Sequence, residues 1–306
     1  RRRHYRGAVR APVLIPGVAT ERMRWRTPVR VVVATVAFLT VLVSVSSIWS
    51  RVRMARLPGL EETAAQAVGA LLLSLAVTAL TWVLCRGVDR RPLATTGLRL
   101  RWAAVGWLLV GTATAAALVM LVHVTALALG ATAWRGAAGW RALAAELGVL
   151  LVSGLVAQGF PEELVFRGYV LTTLSGRRLG PVVAISAASF GVLHVLSESP
   201  LSGLGGRLAW VAMATAMGVL FSLLRLASRS LWTAVGAHGG FHLGWGASQA
   251  LLPYEQWPTL VAAITALFLA ASLLLVPLTR RRLAAPGAAP DAAGVASPRS
   301  RPGGAP

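Results

Sequence analysis

The sequence predicts an all-α fold: a polytopic transmembrane helical bundle of about eight spans, with both termini in the cytoplasm. Three observations carry this. The 306 residues are 56% hydrophobic and only 13% charged, with a mean hydropathy of +0.68, the composition of a membrane-spanning chain. The apolar residues fall in long runs separated by Arg-rich breaks. Those breaks are richer in alternate loops, as the positive-inside rule requires of a chain with an even number of crossings. All thirty basic residues are Arg. With so much Ala and Gly, this indicates coding bias in a GC-rich bacterial genome, and so a multi-pass protein of a bacterial inner membrane.

The formal net charge of +20 suggests nucleic acid at first sight, but its distribution argues otherwise. Nine Arg lie in the first thirty residues, and the others lie mostly in loops and at span ends. Anionic lipid headgroups are therefore the expected partner, and nucleic acid is not. Cys85 is the single cysteine, which excludes an internal disulfide framework and any Cys-rich metal site.

In chain order, residues 1–27 are basic without apolar periodicity and read as a flexible cytoplasmic arm. Val31–Trp49 is the first span. Its long basic lead and the lack of a small-residue cleavage site argue against a signal peptide. Ala64–Cys85 is the second span and Ala103–Leu129 the third, which is long enough to tilt. Leu143–Phe160 is the fourth, followed by a short segment at Gly168–Leu174. Pro181–Leu196 is the fifth, short and rich in small residues. Leu208–Leu224, Leu231–Leu252 and Leu260–Leu278 complete the set. Residues 28–282 thus form the transmembrane domain, and the Ala-, Pro- and Gly-rich residues 283–306 read as a disordered tail. Trp25, Trp49, Trp82, Trp102, Trp140, Trp232 and Trp257 fall at predicted span ends, as an aromatic belt does.

Few titratable groups lie inside the apolar runs: His123, Glu146, Glu162, Glu163, His194, His238 and His242, with Arg167 beside the Glu pair. Adjacent carboxylates at the edge of hydrocarbon need a partner or a function. On a helix Glu163 and Arg167 are i,i+4 neighbours and can pair. Glu162 points about 100° away, which leaves one carboxylate tied down and one free. Pro161 suits the first turn of a restarted helix, where its missing N–H is no loss. The plain alternative for this stretch is a salt-bridged helix end near the membrane surface.

His238 and His242 share a helix face, as do Phe190 and His194. Gly239 and Gly240 remove side-chain bulk and would let another helix approach closely. A lone His123 reads as a hydrogen-bonded packing residue, and Glu146 as a group reaching toward the interface. Convergence of carboxylate and imidazoles from three spans would allow a carboxylate to activate water and imidazoles to stabilise an oxyanion. The same set, Glu162, His194, His238 and His242, could instead hold zinc, since His-xxx-His on a helix face is a ligand spacing. All four are expected to line one cavity in the cytoplasmic half of the membrane.

These residues resemble a known family. Glu162-Glu163-Leu-Val-Phe-Arg167 resembles the EExxxR motif of the CAAX-protease and bacteriocin-processing family of intramembrane proteases, also called CPBP or Abi. Phe190-Gly-Val-Leu-His194 resembles its FxxxH motif. His238-Gly-Gly-Phe-His242 has the frame of its HxxxN motif, with His242 where the family usually has Asn. The protease-like core is residues 142–252. The resemblance implies a helical membrane fold and peptide-bond hydrolysis near a membrane surface. It implies Glu162 and His194 as the water-activating pair, and His238 with His242 on the oxyanion side. Glu163, Arg167 and Phe190 would be supporting residues.

Neutral imidazole can donate one hydrogen bond, so His242 can keep an oxyanion role. A third imidazole also makes zinc more plausible than Asn would, although the other motifs follow the family closely and favour a metal-free site. Bacterial proteins are rarely prenylated, so a leader peptide or a membrane-bound regulator is the expected substrate. The competing readings are a noncatalytic scaffold or immunity protein that keeps the fold, and a transporter using the polar cluster for protons or metal ions. No internal repeat of the kind transporters often show is present. Glu162 and His194, which a pseudoenzyme would be expected to lose, are both retained.

Overall fold

Gly236, Gly240 and Gly244 recur every fourth residue in the seventh expected span, and this small-residue stripe determines which helices can touch it. The computed structural model describes residues 13, 27–57 and 61–284. Its elements are α1 (Thr27–Arg56), α2 (Glu62–Val83, continued by a π-helical turn at Leu84–Val88), α3 (Trp102–Ala128), α4 (Gly136–Thr173), α5 (Leu179–Gly191, continued by a 3-10 turn at Val192–Val195), α6 (Gly203–Ser228), α7 (Leu231–Leu251) and α8 (Trp257–Ala284). No strand occurs among the described residues. The all-α expectation holds, and the eight expected spans correspond one to one with these helices.

Six helices, α1 to α4, α6 and α8, are long and apolar enough to cross a membrane. The chain is a multi-pass membrane protein. The other two are α7, which is rich in Gly and His, and the short α5; both carry histidines of the polar inventory. The arm at 1–27 and the tail at 283–306 lie almost wholly outside the described residues. Where the tail is described, Leu283 and Ala284 extend α8.

One expectation is corrected. The fourth span, the Pro161 restart and the short segment at Gly168–Leu174 are a single 38-residue helix, α4. Pro161 would break an α-helix by removing a donor and clashing with the carbonyl four residues back. The helix avoids this by widening. Val152–Gly159 and Leu164–Val170 are π-helical, and between them stands one α-helical turn, Phe160–Glu163. The Phe160 N–H reaches back five residues to the Leu155 carbonyl. Both glutamates sit in that single α turn, bracketed by π segments of a kind often found at functional sites. Because the helix does not begin there, no helix N-terminus among the described residues faces the two glutamates.

The small residues of α7 serve two neighbours. A Cβ at Gly236 would overlap the Leu108 carbonyl oxygen, one at Gly240 the Thr112 carbonyl oxygen, and one at Gly244 would lie 2.7 Å from Ala116 Cα, all on α3. On the other side a Cβ at Gly239 would overlap the Leu155 side chain of α4, and one at Gly159 of α4 would lie 3.1 Å from the Val235 carbonyl oxygen. The close approach expected at Gly239 and Gly240 is therefore present, with a different helix at each. In lipid such contacts are held by steric fit rather than by the hydrophobic effect. Gly240→Ala is expected to destabilise the fold by about 1–3 kcal/mol, the usual range for overpacking. Gly148→Ala, which has nothing within 4 Å of the new Cβ, is the control. Thermal unfolding in detergent compares the two, and equal midpoints would remove this packing argument.

Polar contacts secure the far end of α4. Asp89 pairs with Arg30 and with Arg91, each at 3.0 Å. Arg91 also donates to Thr173 Oγ at 3.0 Å and to the Tyr169 carbonyl at 3.3 Å. The group ties α1 and α2 to the helix that carries the glutamates. At the start of α2, Glu61 accepts from the Thr63 and Ala64 backbone N–H groups at 3.0 and 2.9 Å. These donors hold its carboxyl below the usual carboxylate range.

Candidate active site

Arg167 is fully buried and needs a counter-ion, and its own helix supplies one. Glu163 Oε1 accepts from Arg167 Nη1 at 2.8 Å, and both side chains are sealed from solvent. The pairing expected from i,i+4 spacing is present. The rest of the guanidinium is held by aromatic faces. Its Cζ lies 4.3 Å from the Phe190 ring centroid and 5.6 Å from that of Phe221, within cation–π range. Gly218 of α6 leaves room for it, since a Cβ there would come 2.9 Å from Arg167 Nη2.

The same carboxylate oxygen has a second partner. His238 Nδ1 of α7 lies 3.0 Å from Glu163 Oε1. The His238 ring meets the Phe190 ring edge-on and lies tilted over Phe221, at 5.7 Å in each case. It stacks with His242 at 5.3 Å between centroids and 16° between planes. His194 sits at the end of α5 in the 3-10 turn, its ring 4.7 Å from that of Phe190. Its Nδ1 is 3.2 Å from the Phe190 carbonyl oxygen. A carbonyl only accepts, so this nitrogen is the N–H and Nε2 keeps its lone pair.

Phe190 thus touches Arg167, His194 and His238 together. Three helices of the predicted motifs, α4, α5 and α7, meet around it, and α6 closes the cluster with Phe221. His194, His238 and Arg167 lie within electrostatic range of one another, and His242 within range of both other histidines. Glu162 is half-buried. It lies within electrostatic range of Glu163 and Arg167, and among the described residues it has no hydrogen-bond partner. One carboxylate is tied down and the other is left available.

Among the described residues, no group of three or more His, Cys, Asp or Glu side chains is disposed to hold a metal ion. A cavity of about 500 Å³ lies between α3 and α8, lined by residues such as Leu121, Ala126, Tyr254 and Leu267. It includes none of the candidate residues and is apolar, so it plays no part in the chemistry of the Glu and His cluster. A second, of about 420 Å³, is lined by Leu100, Trp102, Leu108 and Trp232 among others. Its Trp232 stacks on Phe160 at 6.0 Å, and none of the candidate residues lines it.

His123 is fully buried, with Nδ1 3.2 Å from the Val119 carbonyl oxygen, and takes no part in the cluster. Glu146 is exposed. Phe221 and Gly218 were not legible as site residues. In an apolar span a Phe and a Gly carry no polarity to mark them, and only the position of Arg167 gives them a role.

Residues 144–244 match the family model for Type II CAAX prenyl endopeptidase Rce1-like proteins. The match spans all three motifs, and it bears out the resemblance to the CAAX-protease family drawn from them. No curated protein and no solved structure matches the chain.

Proposed function

We propose that this chain is an intramembrane endopeptidase of the CAAX-protease type, acting on a membrane-associated protein or peptide in a bacterial inner membrane. Glu162, assisted by His194, takes a proton from water. The hydroxide attacks the scissile carbonyl with the His238–His242 side facing the oxyanion, and as the C–N bond breaks Glu162 passes the proton it took from water to the leaving amine. Glu163 and Arg167 support the site. A leader peptide or a membrane-bound regulator is the substrate class. The observation that carries the reading is the meeting of Arg167, His194 and His238 around Phe190, with Glu162 unpartnered on the turn that supplies Glu163. A general base must be free of strong partners and close to groups that position its water.

The test is cleavage of labelled membrane peptides by the purified chain in lipid nanodiscs, with products identified by mass. Loss of cleavage with retained peptide binding would favour the scaffold reading instead.

The departure at His242 decides between metal-free and metal-dependent forms. In the metal-free form His242→Asn keeps a donor, retains most activity, within about 10-fold, and is indifferent to chelators. If His242 holds zinc, Asn weakens metal binding sharply and chelation abolishes wild-type cleavage. Stoichiometric zinc in purified wild-type protein, absent from His242→Asn, would overturn the metal-free form.

A further inference from the structure

We propose that Glu163 is a positioning residue that fixes His238 as the tautomer protonated on Nδ1, so that His238 offers the site a proton acceptor and His242 alone offers a neutral donor. The chemical consequence rests on the endopeptidase reading and refines it at one position. The tautomer itself rests only on geometry.

The argument begins with Arg167. Its guanidinium stays protonated in proteins. Glu163 Oε1 accepts from it at 2.8 Å, so the partner is a carboxylate, and a carboxylate has no proton to give. The His238 nitrogen 3.0 Å from that oxygen must therefore be the N–H. In neutral imidazole the second nitrogen then carries a lone pair. Protonating Nε2 as well would place a second cation against Arg167 inside the sealed Arg167–Glu163–His238 group, whose one anion is Glu163; Glu162 is half-buried and hydrogen-bonds to none of the three among the described residues. Nearly complete burial of all three groups makes such an imbalance expensive. His238 is consequently held neutral, with Nε2 bare.

His194 is held in the same way by a different acceptor, the Phe190 carbonyl. Two bare Nε2 atoms and the Glu162 carboxylate make this side rich in acceptors. It suits a water whose protons must be taken. The oxyanion needs the opposite, a donor. His242 has no hydrogen bond to either ring nitrogen among the described residues, so its tautomer is free to present an N–H. The stacking of His242 on His238, at 16° between planes, puts donor and acceptor imidazoles side by side. An Asn at this position would also donate, whereas an aliphatic residue would not.

The test uses the full chain, with 15N-labelled histidine, in nanodiscs at neutral pH. The His238 signal is assigned by its disappearance in His238→Gln. The expected result is a protonated Nδ1 and an unprotonated Nε2; a protonated Nε2 overturns the proposal. This readout needs no substrate, so it stands even if the endopeptidase reading fails. A cleavage series then tests the consequence. His242→Asn is expected to stay within about 10-fold of wild type, and His242→Leu to lose about 10²–10³-fold, the size of a lost oxyanion donor. At position 238, Gln and Leu are expected to be equally poor, because an amide cannot take a proton. Substantial rescue by His238→Gln over His238→Leu would show that His238 is a donor and overturn the assignment.

Discussion

Glu162→Gln is expected to lower peptide cleavage by about 10²–10⁴-fold, the span of a general base's contribution, while folded protein accumulates in the membrane as wild type does. Gln keeps the shape and polarity of the side chain and removes only its ability to take a proton. No hydrogen bond depends on the charge, because Glu162 is half-buried and holds none among the described residues, and Arg167 keeps its direct counter-ion in Glu163. Removing an unpartnered carboxylate also relieves its repulsion of Glu163, so the variant should be no less stable in detergent. Cleavage rate and thermal midpoint, measured on one preparation, check both halves. A variant that keeps full activity would take Glu162 out of the chemistry.

Glu163→Gln is expected to do the reverse and lose folded protein first. Its carboxylate neutralises a fully buried arginine at 2.8 Å and receives His238 at 3.0 Å. Breaking a buried ion pair from one side costs about 3–5 kcal/mol, because the surviving charge is left uncompensated. That is a large share of the ~5–15 kcal/mol by which ordinary domains are stable. Glu163→Gln combined with Arg167→Met removes both charges, and it should recover a good part of the lost membrane accumulation. It should not recover cleavage, since His238 remains without its carboxylate. Abundance by fluorescence-detected size exclusion, set beside activity, separates the two effects. If Glu163→Gln folds normally and Glu162→Gln does not, the two carboxylates are assigned the wrong way round.

Much of the site was readable because its signals are local. Glu163 and Arg167 are four residues apart, and a helix of any tilt places them together. The same spacing linked Phe190 with His194 and His238 with His242. The π-helical widening that carries α4 past Pro161 was not readable. Proline in an apolar run ordinarily signals a break, and whether the helix breaks or widens depends on what packs against its freed carbonyls. Ser74 of α2, which donates to the Val156 carbonyl five residues before Pro161 at 2.6 Å, is one such contact.

By itself the sequence determined the fold class, the eight helices and the three motif fragments. Hydropathy and helical periodicity are properties of neighbouring residues, and neighbouring residues are what a sequence displays. The tertiary structure decided that Glu163 serves Arg167 and His238 at once, across a separation of 75 residues. It also decided that Phe190 and Phe221 enclose the guanidinium, and that Gly239 and Gly240 admit two different helices. In lipid there is little hydrophobic force between helices to mark a pairing by apolar patterning. Partners are chosen by close steric fit at small residues and by the need of buried polar groups for one another, and both become visible only once the helices are side by side.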